Sequence, residues 1–275
     1  MSDTVRKFYD RNANREWERL HRDAYHRLEY IVTIHFLEKY LPKSGLVLDA
    51  GGGPGRYPIE LGKKGFEVVL FDLSDKCLEI AEREARRARV STKIRVAQGS
   101  IVDFSRFADE SFDATICLGA LSHLVDEEDR KKAVAELVRV TKTKAPMFIS
   151  VFNRYGVFRT VLQRLPEELV EPSHEEMFSR GVHRGEWHDP MPVHGFTDAY
   201  FFHPVELKEF LESHGIVTLE MATCEGLSCH LQAETNRIYE DKKKWKRWVE
   251  ILLNTCTDPC ILGIGEHVLH IGRKV

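Results

Sequence analysis

In VLDAGGGPGRYPIEL, residues 47–61, Asp49, Gly51, Gly53 and Gly55 stand at alternate positions, with Gly52 between them. Glycine loses more backbone freedom on folding than any other residue, so a cluster of four needs an offsetting role. Without side chains, the backbone can approach a ligand closely and adopt conformations closed to other residues. A carboxylate beside such a loop is an acceptor only, suited to a cation or a hydroxyl pair. A second carboxylate, Asp72, ends the apolar run EVVLFDL. His123, in GALSHL, carries a ring that titrates near neutral pH and can move a proton.

Alternating elements must position these groups. LVLDAG (46–51), EVVLFDL (67–73), KIRVAQGS (93–100), FDATICLG (112–119) and APMFISVFN (145–153) read as buried strands. YPIELGKKG reads as a helix that tolerates Pro58 in its first turn and stops at Gly65. SDKCLEIAEREARRARV (74–90) is a helix with Ser74 as N-cap. DEEDRKKAVAELVRVTK (126–142) has acids first and bases last, as the helix dipole favours. Strand–helix alternation predicts a mainly parallel sheet with helices on both faces. The glycines then lie at the turn from the first strand into its helix, where doubly wound sheets bind ligands.

The dinucleotide fingerprint G-x-G-x-x-G/A does not fit, because Arg56 or Pro58 falls where a small residue is required. No G-K-[ST] follows, so the turn is not a P-loop. The acid-x-G-x-G-x-G spacing, with Asp72 ending the second strand, resembles the first motifs of the class I S-adenosylmethionine-dependent methyltransferases. That resemblance implies an α/β fold: a Rossmann-like, doubly wound, mostly parallel seven-stranded sheet with an antiparallel last strand and helical inserts. It covers residues 45–153, then 201–225 and 266–275 as the final helix and two closing strands. The glycine pair usual before the fifth strand is replaced by KTKAP (142–146).

S-adenosyl-L-methionine is the cofactor the resemblance implies. Its contacts are expected from Asp49, Gly51, Gly53 and Gly55; from Asp72, holding the ribose hydroxyls, with Leu73; from Ser100 and Ile101 at the adenine; and from Leu118 near the methionine part. Tyr9, ahead of the core, is expected to fold over the cofactor. His123 faces the methyl-bearing end as a candidate base, beside an equal reading as a structural or substrate-contacting residue. Asp49 serves either to organise the loop or to meet the cofactor's amino group.

The chain reads as one methyltransferase domain. It comprises an N-terminal helical cover (1–44), a cofactor-binding core (45–153), a substrate-covering insert (154–200) and a C-terminal core (201–275) with a helical insert (226–266). The cover includes an amphipathic helix over 26–42, with Leu28, Ile31, Val32, Leu37 and Leu41 as its apolar set. From Arg154 to Tyr200 regular pattern fades and histidines gather: His174, His183, His188 and His194, with His203 just beyond. Trp187, Tyr200, Phe201 and Phe202 accompany them, and such aromatic density argues against disorder. His183, Arg184 and Tyr200 are the expected acceptor contacts. The histidine spacing matches no zinc module, so no metal is expected. Insert 226–266 carries a stripe of Trp245, Trp248, Val249, Leu252 and Leu253 among lysines, which read as a solvated face.

A net charge of −3 leaves no global field to gather nucleic acid or an acidic membrane. Apolar runs are too short to span a bilayer, and the charged N-terminal stretch is unlike a secretory signal. Six scattered cysteines without a C-x-x-C pair point to reduced thiols and a cytoplasmic location. The expected partner is a small-molecule methyl acceptor; the oligomeric state is open. N-P-P-Y-type, Pro-Cys and acidic metal signatures of other methyl-transfer chemistries are missing, so oxygen, nitrogen, sulfur and carbon acceptors all stand. Two rivals remain, an RNA methyltransferase and a non-catalytic cofactor-binding regulatory protein.

Overall fold

The computed structural model describes residues 3–185 and 196–275. Trp187, His188 and His194 lie outside the described residues. Seven strands form one sheet: β1 (Leu46–Ala50), β2 (Glu67–Asp72), β3 (Ile94–Gln98), β4 (Ala114–Leu118), β5 (Pro146–Phe152), and later β8 (Ile216–Thr223) and β9 (His267–Lys274). Their order is β3-β2-β1-β4-β5-β9-β8. Only β9 runs against its neighbours, β5 and β8. The doubly wound, mostly parallel sheet with an antiparallel closing strand is therefore the observed fold. The order reverses between β1 and β4, so a crevice opens at their carboxyl ends.

Core strands are buried on both faces, as parallel strands must be. Leu48, Ala50, Phe71 and Met147 pack on one side with Leu137 of α5 (Glu127–Val140) and Leu207 of α8 (Pro204–Glu212). Val47, Val68 and Phe148 pack on the other with Leu61 of α3 (Arg56–Lys63) and Val32, Phe36 and Leu37 of α2 (Arg27–Tyr40). The helix predicted over 26–42 is thus present, but Ile31 and Leu41 are only half-buried while Phe36 is in the core. Helix α4 (Asp75–Arg87) starts where expected, because Ser74 accepts from the Cys77 N–H.

Helix α1 (Asp3–Arg19) crosses over the crevice and is tied to α4. Ala13, Tyr9 and Trp17 pack on Cys77 and Ile80, and Ser74 Oγ donates to Asp10 at 2.6 Å. The Arg56 guanidinium stacks 3.5 Å from the Trp17 ring and also donates to the Trp17 carbonyl.

The segment after β5 departs from its predicted irregularity. It begins with α6 (Arg154–Arg164), capped by Asn153, and holds α7 (Glu175–Arg180). Only Gly156 and Val161 of α6 are buried, so its apolar period is too faint to read. The segment returns through a two-residue pairing of β6 (Val182–His183) with β7 (Ala199–Tyr200). In the last insert α9 (Gln232–Tyr239) and α10 (Lys242–Thr255) form, and of the apolar stripe Leu252 alone is fully buried.

Candidate active site

A cavity of about 500 Å³ lies at the carboxyl ends of β1, β2, β4 and β5, beneath α1. The glycine turn forms its floor. Gly51, Gly53 and Gly55 all have positive φ, +75°, +54° and +84°. A side chain on Gly51 would meet Ala120 at 2.2 Å, so this glycine permits close packing. At Gly53 nothing lies within 4 Å of where a Cβ would project: this backbone faces open cavity. Gly55 does not line the cavity; a Cβ there would meet Ala81 of α4 at 2.9 Å.

The two carboxylates differ. Asp72 accepts from the Gly53 and Ser74 N–H groups, each at 2.8 Å, and so organises the loop. Burial pushes its acid up to about 6, against the lowering by those N–H groups. Asp49 is buried with neither carboxylate oxygen hydrogen-bonded. It touches the loop at Gly52 without a hydrogen bond to it. Burial, then the neighbouring Asp72, push it up to about 8. A buried carboxyl group without partners is costly and favours a cationic group arriving from outside.

Leu73, Ile101 and Leu118 line the cavity beside these acids. Ser100 does not; its hydroxyl is buried and unpartnered, and Gly99 takes the lining position.

Tyr9 meets His123 rather than standing alone over the cofactor position. The two are hydrogen-bonded at 2.7 Å, and His123 Nδ1 is 2.8 Å from the Asp198 carbonyl. A carbonyl only accepts, so Nδ1 carries the proton and Nε2 accepts from the Tyr9 hydroxyl. Burial lowers His123 below its ordinary range and keeps the ring neutral at pH 7. Phe152 and Phe196 pack against it, with centroids at 5.4 and 5.8 Å.

The expected acceptor contacts are not brought to this cavity. His183 packs among His174, Phe196 and Phe201, away from the lining. Arg184 and Tyr200 line a separate cavity of about 230 Å³ with Arg130 and Asp126. The Tyr200 ring lies 3.7 Å from the Arg130 guanidinium and its hydroxyl donates to Glu206. Tyr200 is a packing residue here, because aromatic character in the sequence does not reveal which cavity a side chain faces.

Beyond Phe152 the main cavity reaches a charged end that sequence reasoning missed. Arg19 of α1 grips Glu29 of α2 with two N–H groups, at 2.5 and 3.2 Å. His267, first in β9, binds Glu225 through Nδ1 at 2.6 Å and lies 3.8 Å from Glu29. Burial alone would lower His267, but Glu29 and Glu225 outweigh it and hold it up at about 9. Burial would raise Glu29, yet Arg19 and then His267 bring it down to about 2. Two cations thus face two anions, and no local motif in the sequence marks any of the four.

Residues 47–144 match the family model described as a methyltransferase domain. A glycine/sarcosine N-methyltransferase of Parasynechococcus marenigrum is 34% identical over 143 residues, covering 51% of this chain and 49% of that one. A ubiquinone biosynthesis O-methyltransferase of Xanthomonas axonopodis pv. citri is 29% identical, covering 52% and 58%. The chain spans about half the length of the curated relatives it matches. A SAM-dependent methyltransferase structure from Methanosarcina mazei superposes with a TM-score of 0.61 at 18% identity, over 87% of this chain and 97% of that one. Geranyl diphosphate C-methyltransferase of Streptomyces coelicolor, solved with S-adenosyl-L-homocysteine, gives 0.56 at 16% identity, over 91% and 80%. At these identities the structural likeness is one of fold.

Proposed function

We propose, from the match of residues 47–144 to the family model of a methyltransferase domain, that the chain is a class I, S-adenosylmethionine-dependent enzyme that methylates a small-molecule acceptor. The carrying observation is Asp49, buried and unpartnered beside the open backbone at Gly53. The donor set fits the cofactor. Asp49 would meet its ammonium group, Asp72 would offer lone pairs to the ribose hydroxyls, and Leu73, Ile101 and Leu118 would supply apolar walls. When bound, the cofactor supplies a methyl group already activated on a sulfonium.

The chain's own residues then align, dehydrate and deprotonate. Helix α1 covers the cavity and excludes water. Phe152 and Phe196 present flat apolar surface to the acceptor. His123 Nε2 takes the Tyr9 phenolic proton as Tyr9 Oη takes the proton that the acceptor sheds. Acceptors without a proton to lose need only the alignment. A small acceptor suits a cavity of about 500 Å³ roofed by a helix, as small-molecule relatives also support. Calorimetry tests the reading: S-adenosylmethionine and its demethylated product bind, and NAD does not. NAD binding without sulfonium binding would overturn it.

A further inference from the structure

At the charged end of the cavity His267 has a ring nitrogen left over. His267 Nδ1 is committed to Glu225, and its backbone N–H donates to the same carboxylate at 3.0 Å. Its Nε2 has no hydrogen-bond partner among the described residues. The side chain keeps 16% of its surface, and the residue lines the main cavity. Two carboxylates, Glu225 at 2.6 Å and Glu29 at 3.8 Å, favour a second proton on the ring, so Nε2 is a donor. The His267 ring contacts Phe152 at 5.5 Å between centroids, and His123 contacts the same phenyl ring at 5.4 Å. A small molecule lying along Phe152 therefore reaches Tyr9 and His123 with one end and His267 with the other.

Resting on the methyl-transfer reading, we infer that the methyl acceptor carries a carboxylate, bound by His267 Nε2, at the end away from its nucleophile. An ammonium there would meet a donor N–H and be repelled. A dianionic phosphate would be set against the two carboxylates, Glu29 and Glu225, that flank the ring. A singly charged carboxylate accepts one charge-assisted hydrogen bond, about twice as strong as a neutral one. Glu29 and Glu225 hold the ring charged and fixed, and Arg19 offsets the field of Glu29.

Benzoate and benzamide share shape and differ in charge, so they serve as probes. Each is titrated into the full chain saturated with S-adenosylhomocysteine, and the histidine ring nitrogens are followed by NMR. Benzoate is expected to shift the His267 Nε2 signal and to bind roughly tenfold to a hundredfold more tightly than benzamide. In His267→Gln that preference is expected to vanish while affinity for S-adenosylhomocysteine is kept. Equal binding of the two probes to the parent chain, or no movement of the His267 signal with either, would overturn the inference without any variant. Failure to bind S-adenosylhomocysteine at all would overturn the methyl-transfer reading along with it.

Discussion

At the site the consequences attach to single atoms. Asp72 holds Gly53 in place and is the proposed acceptor for a diol, so Asp72→Ala is expected to weaken S-adenosylmethionine binding roughly tenfold to a hundredfold, the worth of about 1.5–3 kcal/mol of charge-assisted hydrogen bonding. Calorimetry on the two proteins checks it; equal affinities would remove Asp72 from the ribose. Asp49 differs because its acid is pushed up to about 8 from 3.8. Between these values the folded chain holds a proton that the unfolded chain has lost, so this group lowers stability as pH rises from about 4 to 8. On the proposed reading an arriving ammonium favours the ionised form, so cofactor binding at pH 7 is expected to release that proton. The binding enthalpy is therefore expected to depend on the ionisation enthalpy of the buffer in the parent, and not in Asp49→Asn. For the base, Tyr9→Phe and His123→Gln should each lower turnover, about a hundredfold or more for His123, with cofactor affinity nearly unchanged. The acidic limb of turnover should lie below pH 6.5, since burial lowers His123. A limb above that pH would mean that His123 is not the titrating group. Much of the placement was legible in the sequence, because Asp49 and Asp72 lie in the carboxyl ends of strands, and His123 just beyond one, each readable from its apolar run. The partner of Tyr9 was not legible, because 114 residues separate it from His123.

Among the elements, α1 and the segment after β5 both contribute to the main cavity. Helix α1 roofs the cavity and supplies Tyr9 and Arg19, and its grip on α3 and α4 runs through Trp17. Trp17→Ala is expected to weaken cofactor binding and to speed amide exchange across α1 with little change in the sheet; unaltered exchange would show that other contacts hold the roof. The segment after β5 contributes Phe196 to the main cavity, whereas Tyr200 props Arg130 and Arg154 at a neighbouring one. Tyr200→Ala should thus cost about 3–5 kcal/mol of stability, the range for emptying a buried aromatic site, and leave turnover per folded molecule intact. Thermal melts and turnover on the same variant separate this from a direct acceptor contact, which would lower turnover in the folded fraction. Strands β1 to β5 and helices α4 and α5 were readable from local period, caps and charge order. Helix α6 was not, since a helix with two buried residues carries little period.

For the molecule as a whole, the buried array of Arg19, Glu29, His267 and Glu225 joins α1, α2, the turn after β8 and the start of β9. His267 is raised to about 9 from 6.5, so its contribution to stability is full below pH 6.5 and is lost as pH rises to about 9. Glu29 is lowered to about 2 from 4.5, so its contribution is full above pH 4.5 and is lost as pH falls to about 2. The melting temperature should therefore decline between pH 6.5 and 9, and less steeply in His267→Gln; parallel declines would show that His267 is not the titrating group. Among the described residues no helix is long and apolar enough to cross a membrane. The sequence by itself determined the sheet, its glycine turn, both acids at the strand ends and the family that these resemble. Those features are local: strand period, glycine spacing and a carboxylate at a strand's end fall within a few residues of one another. Tertiary structure alone decided that Tyr9 meets His123, that Arg184 and Tyr200 face a second cavity, and that His267 closes the far end of the first. Each of these depends on which distant segments share a wall, and that is set by the packing of helices on the sheet rather than by any spacing along the chain.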